Sequence, residues 1–126
     1  MTTGTLPVLP VTDVAAAIDH YVNDLGFTEV MRVPGPEGAL VTGQVHRAGC
    51  HVMFNLNPAD AGKTGGGVWI WIRDDEADLD AMHERLEASG ANIREAIGDR
   101  FWGDRSFAVE DLNGYVLAFN RKIADG

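Results

Sequence analysis

One cysteine, Cys50, is all that the 126 residues contain. No disulfide can close within the chain and no cysteine-built zinc cluster can form, which suits a reducing compartment. Long apolar runs are missing too. Nothing approaches the roughly 20 consecutive apolar residues of a membrane span, and residues 1–6 have neither a basic segment nor an apolar stretch of the secretory kind. A soluble, cytoplasmic protein with no membrane partner is expected. Basic charge is the third shortage: 10 Lys and Arg stand against 19 Asp and Glu, a formal net charge of −9. Such a surface repels a nucleic-acid backbone and favours cationic partners. Nucleophiles are short as well. Ser89 and Ser106 lie in no nucleophile elbow, Cys50 follows no helix N-terminus, and Gly65-Gly66-Gly67 leads into a strand rather than the helix a phosphate loop needs.

What is present is a hydrophobic fraction of 45%, enough for the core of one domain, distributed in a repeat. Each half opens with a short apolar strand, passes an Asp, and continues into an amphipathic helix that ends in Gly. In the first half the strand covers 6–11, Thr12 or Asp13 is the N-cap, and Gly26 is the stop; Val14, Ile18, Tyr21, Val22 and Leu25 share a helix face. In the second half the strand covers 68–72, Asp74 and Asp75 follow, and Gly90 is the stop. Leu79, Met82 and Leu86 form the buried stripe there, with Asp78, Asp80, Glu84 and Glu87 on more exposed faces. Three strands are expected after each helix, at 27–33, 39–45 and 50–56, then at 91–97, 105–110 and 115–120, with a hairpin turn at Asp111-Leu112-Asn113-Gly114. Residues 57–67, rich in Gly, read as a linker. The fold class is therefore α+β: a single domain, 1–126, of two tandem βαβββ modules, about 5–57 and 66–121, whose curled mixed sheets leave a cleft.

This order, the opening Pro7-Val8-Leu9-Pro10-Val11-Thr12-Asp13-Val14-Ala15, the helix end Asp24-Leu25-Gly26-Phe27 and the turn 111–114 resemble the glyoxalase, bleomycin resistance and extradiol dioxygenase (vicinal oxygen chelate) superfamily. Trp69-Ile70-Trp71-Ile72-Arg73, Trp102-Gly103 and Phe107-Ala108-Val109 are most similar to its bleomycin-binding branch. Two places depart from the pattern. Leu112 stands where the family usually has Pro, and the second strand offers Val30, Met31, Val33, Pro34 and Pro36 where bleomycin binders carry aromatics.

Enzymes of this superfamily hold a divalent metal, and the resemblance places three of its ligand positions on Leu6, Gly67 and Ala118, which have no donor atoms. The fourth falls within 50–55, where Asn55 is the best available donor. No metal and no cofactor are expected at that place. His20 and His83 read as surface or helix-packing residues. His46 and His51 flank the Gly49 turn, where a two-histidine metal pair is the alternative to a surface role.

Trp69 and Trp71 alternate on one strand and share a face, with Ile70 and Ile72 on the other. By the family's register the tryptophan face is the cleft. Two rings on a concave face are suited to stacking on a planar ligand and to cation–π contact; ordinary core or dimer packing is the alternative. The expected ligand-binding set is Phe54, Trp69, Trp71, Trp102 and Phe107, with Asp60 and Asp104 in loops bordering the cleft, and no catalytic residue is assigned. The expected ligand is a cationic, partly aromatic small molecule, and the expected function is sequestration of an antibiotic of the bleomycin-binding type. A lyase, isomerase or dioxygenase with a rearranged metal site, and a metabolite-sensing or interaction module, stay open as alternatives. In the bleomycin resistance family a proline matching Pro7 is a hinge for exchange of an N-terminal arm, which implies a homodimer with residues 1–6 crossing to the partner.

Overall fold

Asp13 starts the first helix. Its backbone is extended, with φ −152°, and its carboxylate accepts the N–H of Ala16 at 3.0 Å, satisfying one of the donors that every helix start leaves unpaired. The helix, α1 (Val14–Asn23), buries Val14, Ala17, Ile18 and Tyr21. Val22, expected in this stripe, is only half-buried, because it lies one residue further round the helix than Tyr21 and Ala17 occupies the centre of the face. Helix α2 (Leu79–Ala88) is capped by Asp78, which accepts the Ala81 N–H at 3.0 Å. It ends on Gly90, with φ +83°; the N–H of Ala91 returns to Leu86 and that of Gly90 to Glu87, the paired bonds of a glycine-terminated helix.

The computed structural model describes residues 6–63 and 69–123 and divides into two compact units, Met1–Lys63 and Thr64–Gly126. In the first, strands β1 (Val8–Val11), β2 (Thr28–Pro34), β3 (Leu40–Arg47) and β4 (Cys50–Leu56) form one sheet in the order β1-β4-β3-β2. In the second, β5 (Trp69–Arg73), β6 (Ile93–Asp99), β7 (Asp104–Glu110) and β8 (Val116–Lys122) form another in the order β5-β8-β7-β6. Each unit's first strand runs parallel to its last, and the remaining pairs are antiparallel. The βαβββ order of both halves and the α+β class are as the residues predict. The arm at 1–5 and the glycines of the linker at 64–68 lie outside the described residues. No helix among those described is long and apolar enough to cross a membrane.

Alternation gives each sheet one face for its helix. In the first unit Tyr21 packs edge-on against Phe27 and Phe54, with ring centroids 5.1 and 4.8 Å apart, over Leu9, Val11, Val45 and Val52. Gly43 belongs to this contact: a Cβ there would stand 2.4 Å from Ile18 Cδ1, so the missing side chain lets α1 approach β3. In the second unit Phe107 stacks on Phe119 at 5.5 Å and takes His83 edge-on at 5.4 Å, beneath Leu79, Met82 and Leu86. Burying each such apolar side chain contributes about 1.5–3 kcal/mol.

The closing hairpins differ. Between β3 and β4, Ala48 and Gly49 have φ of 51° and 81°, the positive pair that a two-residue turn needs to match strand twist. Between β7 and β8, the buried Asp111 carboxylate accepts the N–H groups of Asn113 at 2.8 Å and Tyr115 at 3.0 Å. The side chain thus fixes a turn in which Leu112 supplies none of the stiffness of proline.

Candidate functional site

The face of the second sheet away from α2 starts with Trp69 and Trp71, which pair with Val116 and Ala118 across the parallel β5–β8 ladder. Ala118 in turn pairs with Ala108 of β7. Trp69 is half-buried against Ala108, Val116 and Ala118, whereas Trp71 leaves 53% of its surface exposed. Ala108, Val116 and Ala118 on the two central strands are buried, so what this face offers near them is the half-exposed indole of Trp71, a flat surface suited to stacking.

Arg73 continues the alternation onto the same face. Its guanidinium bonds Asp104 at 3.0 Å and Asp75 at 2.8 Å, spanning from β5 to the start of β7. The Lys122 N–H, at 2.7 Å, and then Arg73 hold the Asp75 carboxyl below the usual carboxylate range. Asp104 was expected in a loop; it is the first residue of β7, and Arg73 already occupies its carboxylate. The Asp104 carboxylate is therefore ion-paired within the unit.

Beyond β6 the chain turns tightly through residues 100–103, with Arg100 N–H bonded to Asp104 O at 2.6 Å and Gly103 N–H to Arg100 O at 3.1 Å. Phe101, 97% exposed, and Trp102, 52% exposed, form an edge-to-face pair at 4.9 Å on this turn. Arg100 folds back across the sheet: Nε donates to Ser106 Oγ at 2.9 Å, and Nη2 donates to the carbonyls of Ala96 and Ser106 at 2.9 and 3.0 Å.

The corresponding face of the first sheet sets polar groups among Val8, Met31, Val33 and Met53. His46 and His51 stack with centroids 5.3 Å apart and planes inclined by 24°; Gln44 Nε2 lies 3.0 Å from His51 Nδ1; Thr42 Oγ1 donates to Phe54 O at 2.9 Å and lies 3.0 Å from Asn55 Oδ1. Among the described residues no group of three or more His, Cys, Asp or Glu could hold a metal. At the family's metal positions Leu6 and Ala118 bring no donor atom and Gly67 lies outside the described residues, so the side chains present do not fit a metal there. His20, with Nδ1 2.8 Å from the Asp24 carboxylate, and His83, against Phe107, pack on their helices as expected.

Of the expected ligand-binding residues, Trp69, Trp71 and Asp104 share one sheet face and Trp102 sits on the turn beyond β6. Phe54 and Phe107 require correction. They are 0% and 1% exposed on the helix-covered sides of their sheets, because the strand alternation that carries Trp71 outward carries Phe107 inward. Asp60, exposed, closes a turn in the first unit, accepting from Asn57 Nδ2 at 3.0 Å. Three residues were missed. Arg73 was legible two positions after Trp71 and Phe101 beside Trp102, but the reach of Arg100 depends on the irregular register between Glu95 and Gly98 in β6, which no sequence pattern marks.

Comparison with known proteins agrees with the fold. An uncharacterised protein of Mycobacterium bovis is 36% identical over 126 residues, covering 94% of this chain and 83% of its own. TioX from Micromonospora sp. ML1 superposes with a TM-score of 0.75 at 27% identity, over 97% of this chain and 100% of that one. TnmS3, an antibiotic binding protein from Streptomyces sp. CB03234, superposes with a TM-score of 0.70 at 27% identity, over 98% of each chain. The model of the glyoxalase/bleomycin resistance protein/dioxygenase superfamily matches residues 5–119, and the chain belongs to that superfamily.

Proposed function

We propose that this protein is a small-molecule binder that captures a planar aromatic natural product of the antibiotic class by stacking it on Trp71, without converting it. The carrying observation is the half-exposed Trp71 on the same strand face as the half-buried Trp69. An indole so placed loses apolar surface to water unless a flat partner covers it. Support also comes from TnmS3, which is 27% identical along 98% of its chain and is an antibiotic binding protein. The net charge of −9 supports long-range attraction of a cationic, bleomycin-like molecule. In this reading the protein is cytoplasmic, homodimeric and metal-free, its two modules act as one domain, and Trp69, Trp71 and Trp102 supply the contacts.

Titration with bleomycin and with an anthraquinone antibiotic, followed by tryptophan fluorescence, tests it. Saturable quenching that is lost in Trp71→Ala is the expected result. Unchanged fluorescence with both at roughly tens of micromolar, the weak end of specific binding, overturns it, and so does stoichiometric metal in protein purified without chelators.

A further inference from the structure

We infer that the open face of the first sheet carries a copper(I) site, in which His46, His51 and the Met53 thioether are the donors and Gln44 orients one imidazole. This goes beyond the capture of an antibiotic and does not depend on it.

The strand ladder brings these groups together. His46 pairs with His51 and Gln44 with Met53 in neighbouring rows of the β3–β4 hairpin. The four side chains stand at the corners of one rectangle, about 5 Å across the strands and about 7 Å along them. All four are half-buried, on the face opposite the fully buried Val45, Val52 and Phe54. The two imidazoles are inclined by only 24°, with centroids 5.3 Å apart. The outer torsion of a histidine is broad, so each ring can turn a nitrogen toward a shared ion at little cost.

The hydrogen bonds leave those nitrogens available. His46 makes none among the described residues, and His51 makes one, between Nδ1 and the Gln44 amide at 3.0 Å. With its oxygen turned to that nitrogen, the amide accepts the Nδ1 proton and leaves the Nε2 lone pair for a metal, as neighbours of ligating histidines commonly do. His20 and His83 differ, because their Nε2 atoms are buried without a partner.

Donor chemistry selects the ion. Among the described residues no Asp, Glu or Cys joins the two histidines, and the flanking residues Thr28, Met31 and Val8 are uncharged. Zinc calls for roughly four imidazole, thiolate or carboxylate donors, more than this face supplies. Copper(I) is soft and favours thioether and imidazole, both neutral, and two nitrogens with one sulfur complete a trigonal set. Met31, across Gln44 from Met53, places a second sulfur on the same row. The net charge of −9 favours approach of the cation. Dioxygen takes an electron from copper(I), and the copper(II) so formed is poorly held by thioether. Protein purified in air therefore comes without the metal.

The test is anaerobic titration with copper(I) against a chromogenic copper(I) chelator, with zinc(II) in parallel, on the unmodified chain and on Cys50→Ser. Cys50 pairs with Arg47 on the face of Val52 and Phe54, so both proteins should take up one equivalent of copper(I) and neither should take up zinc(II). His46→Ala and His51→Ala should each abolish uptake, and Gln44→Ala should weaken it by about tenfold. Met53→Leu should remove the preference for copper(I) over zinc(II). No uptake, uptake that Cys50→Ser abolishes, or uptake that His51→Ala leaves intact overturns the site, and so does equal affinity of the unmodified chain for zinc(II). Should a histidine variant fail to fold, silver(I), a redox-inert substitute, is added to the unmodified protein and followed by proton NMR. Shifts centred on the His46 and His51 rings and the Met53 methyl support the site, and shifts centred elsewhere overturn it.

Discussion

The two sheets of this protein have the same strand order, the same parallel closure and the same kind of helix on one face, yet their opposite faces carry different chemistry. The first presents stacked imidazoles, an amide and a hydroxyl among aliphatic and thioether side chains; the second presents two indoles beside buried alanines, with the guanidinium groups of Arg73 and Arg100 along it. Faces that meet a helix are held to one solution because close packing penalises both a void and an extra methylene. Faces that meet solvent or a ligand are free to differ. The contrast separates what folds each unit from what each unit does.

The largest test of that separation concerns the residues whose placement was corrected. Phe54→Ala and Phe107→Ala should each destabilise the protein by about 3–5 kcal/mol in urea unfolding, and whatever protein remains folded should bind planar probes normally. Selective loss of binding without loss of stability would place the phenylalanines on the wrong face. Asp111→Ala, which strands two turn N–H groups, should cost about 1–3 kcal/mol by the same measurement; a neutral result would mean that the turn holds itself. Trp71→Ala should weaken planar ligands by about tenfold, roughly 1.4 kcal/mol, with little change in stability because the ring is half-exposed. His51→Ala on the opposite kind of face should leave a much larger share of that affinity intact, and equal losses would erase the functional contrast.

Acid should reveal a smaller effect. Asp80, hydrogen-bonded to Arg105, and Asp75, bonded to the Lys122 N–H and Arg73, both titrate below the usual carboxylate range when folded. Their stabilisation is present above the unfolded-state value of about 4 and is lost as pH falls through the lower folded value. Asp80→Asn should therefore flatten the acid limb of the stability curve below about pH 4, read by thermal unfolding. The smallest effect belongs to the first hairpin: Ala48, at φ 51°, is better served by Asn, and Ala48→Asn should add about 0.5–1 kcal/mol.

The ten elements were legible because their signals are local. Asp13 caps, Gly26 and Gly90 terminate, and period-two alternation sorts Trp69 and Trp71 from Ile72. The pairing of the two tryptophans on one face followed from the same arithmetic. What alternation could not supply was its phase relative to the helix in strands without a clear polar side. Phe54 and Phe107 lie in such strands and were assigned to the ligand by residue type. Asp104 was read as a loop acid because the start of β7 carries no strand signal. Arg100 was invisible for a different reason: its guanidinium meets Ser106 and Ala96 only because β6 loses register and the turn after it folds back.

The parallel pairing of β5 with β8 also sets an order of events. Trp69 meets Val116 only after nearly the whole of the second unit has been made, so the tryptophan strand must wait for a large loop to close, a slow step compared with forming the β7–β8 hairpin. All three tryptophans belong to that unit. In a refolding experiment the indole signal would therefore follow the second unit alone, and the step that completes the stacking platform would be among the last it reports.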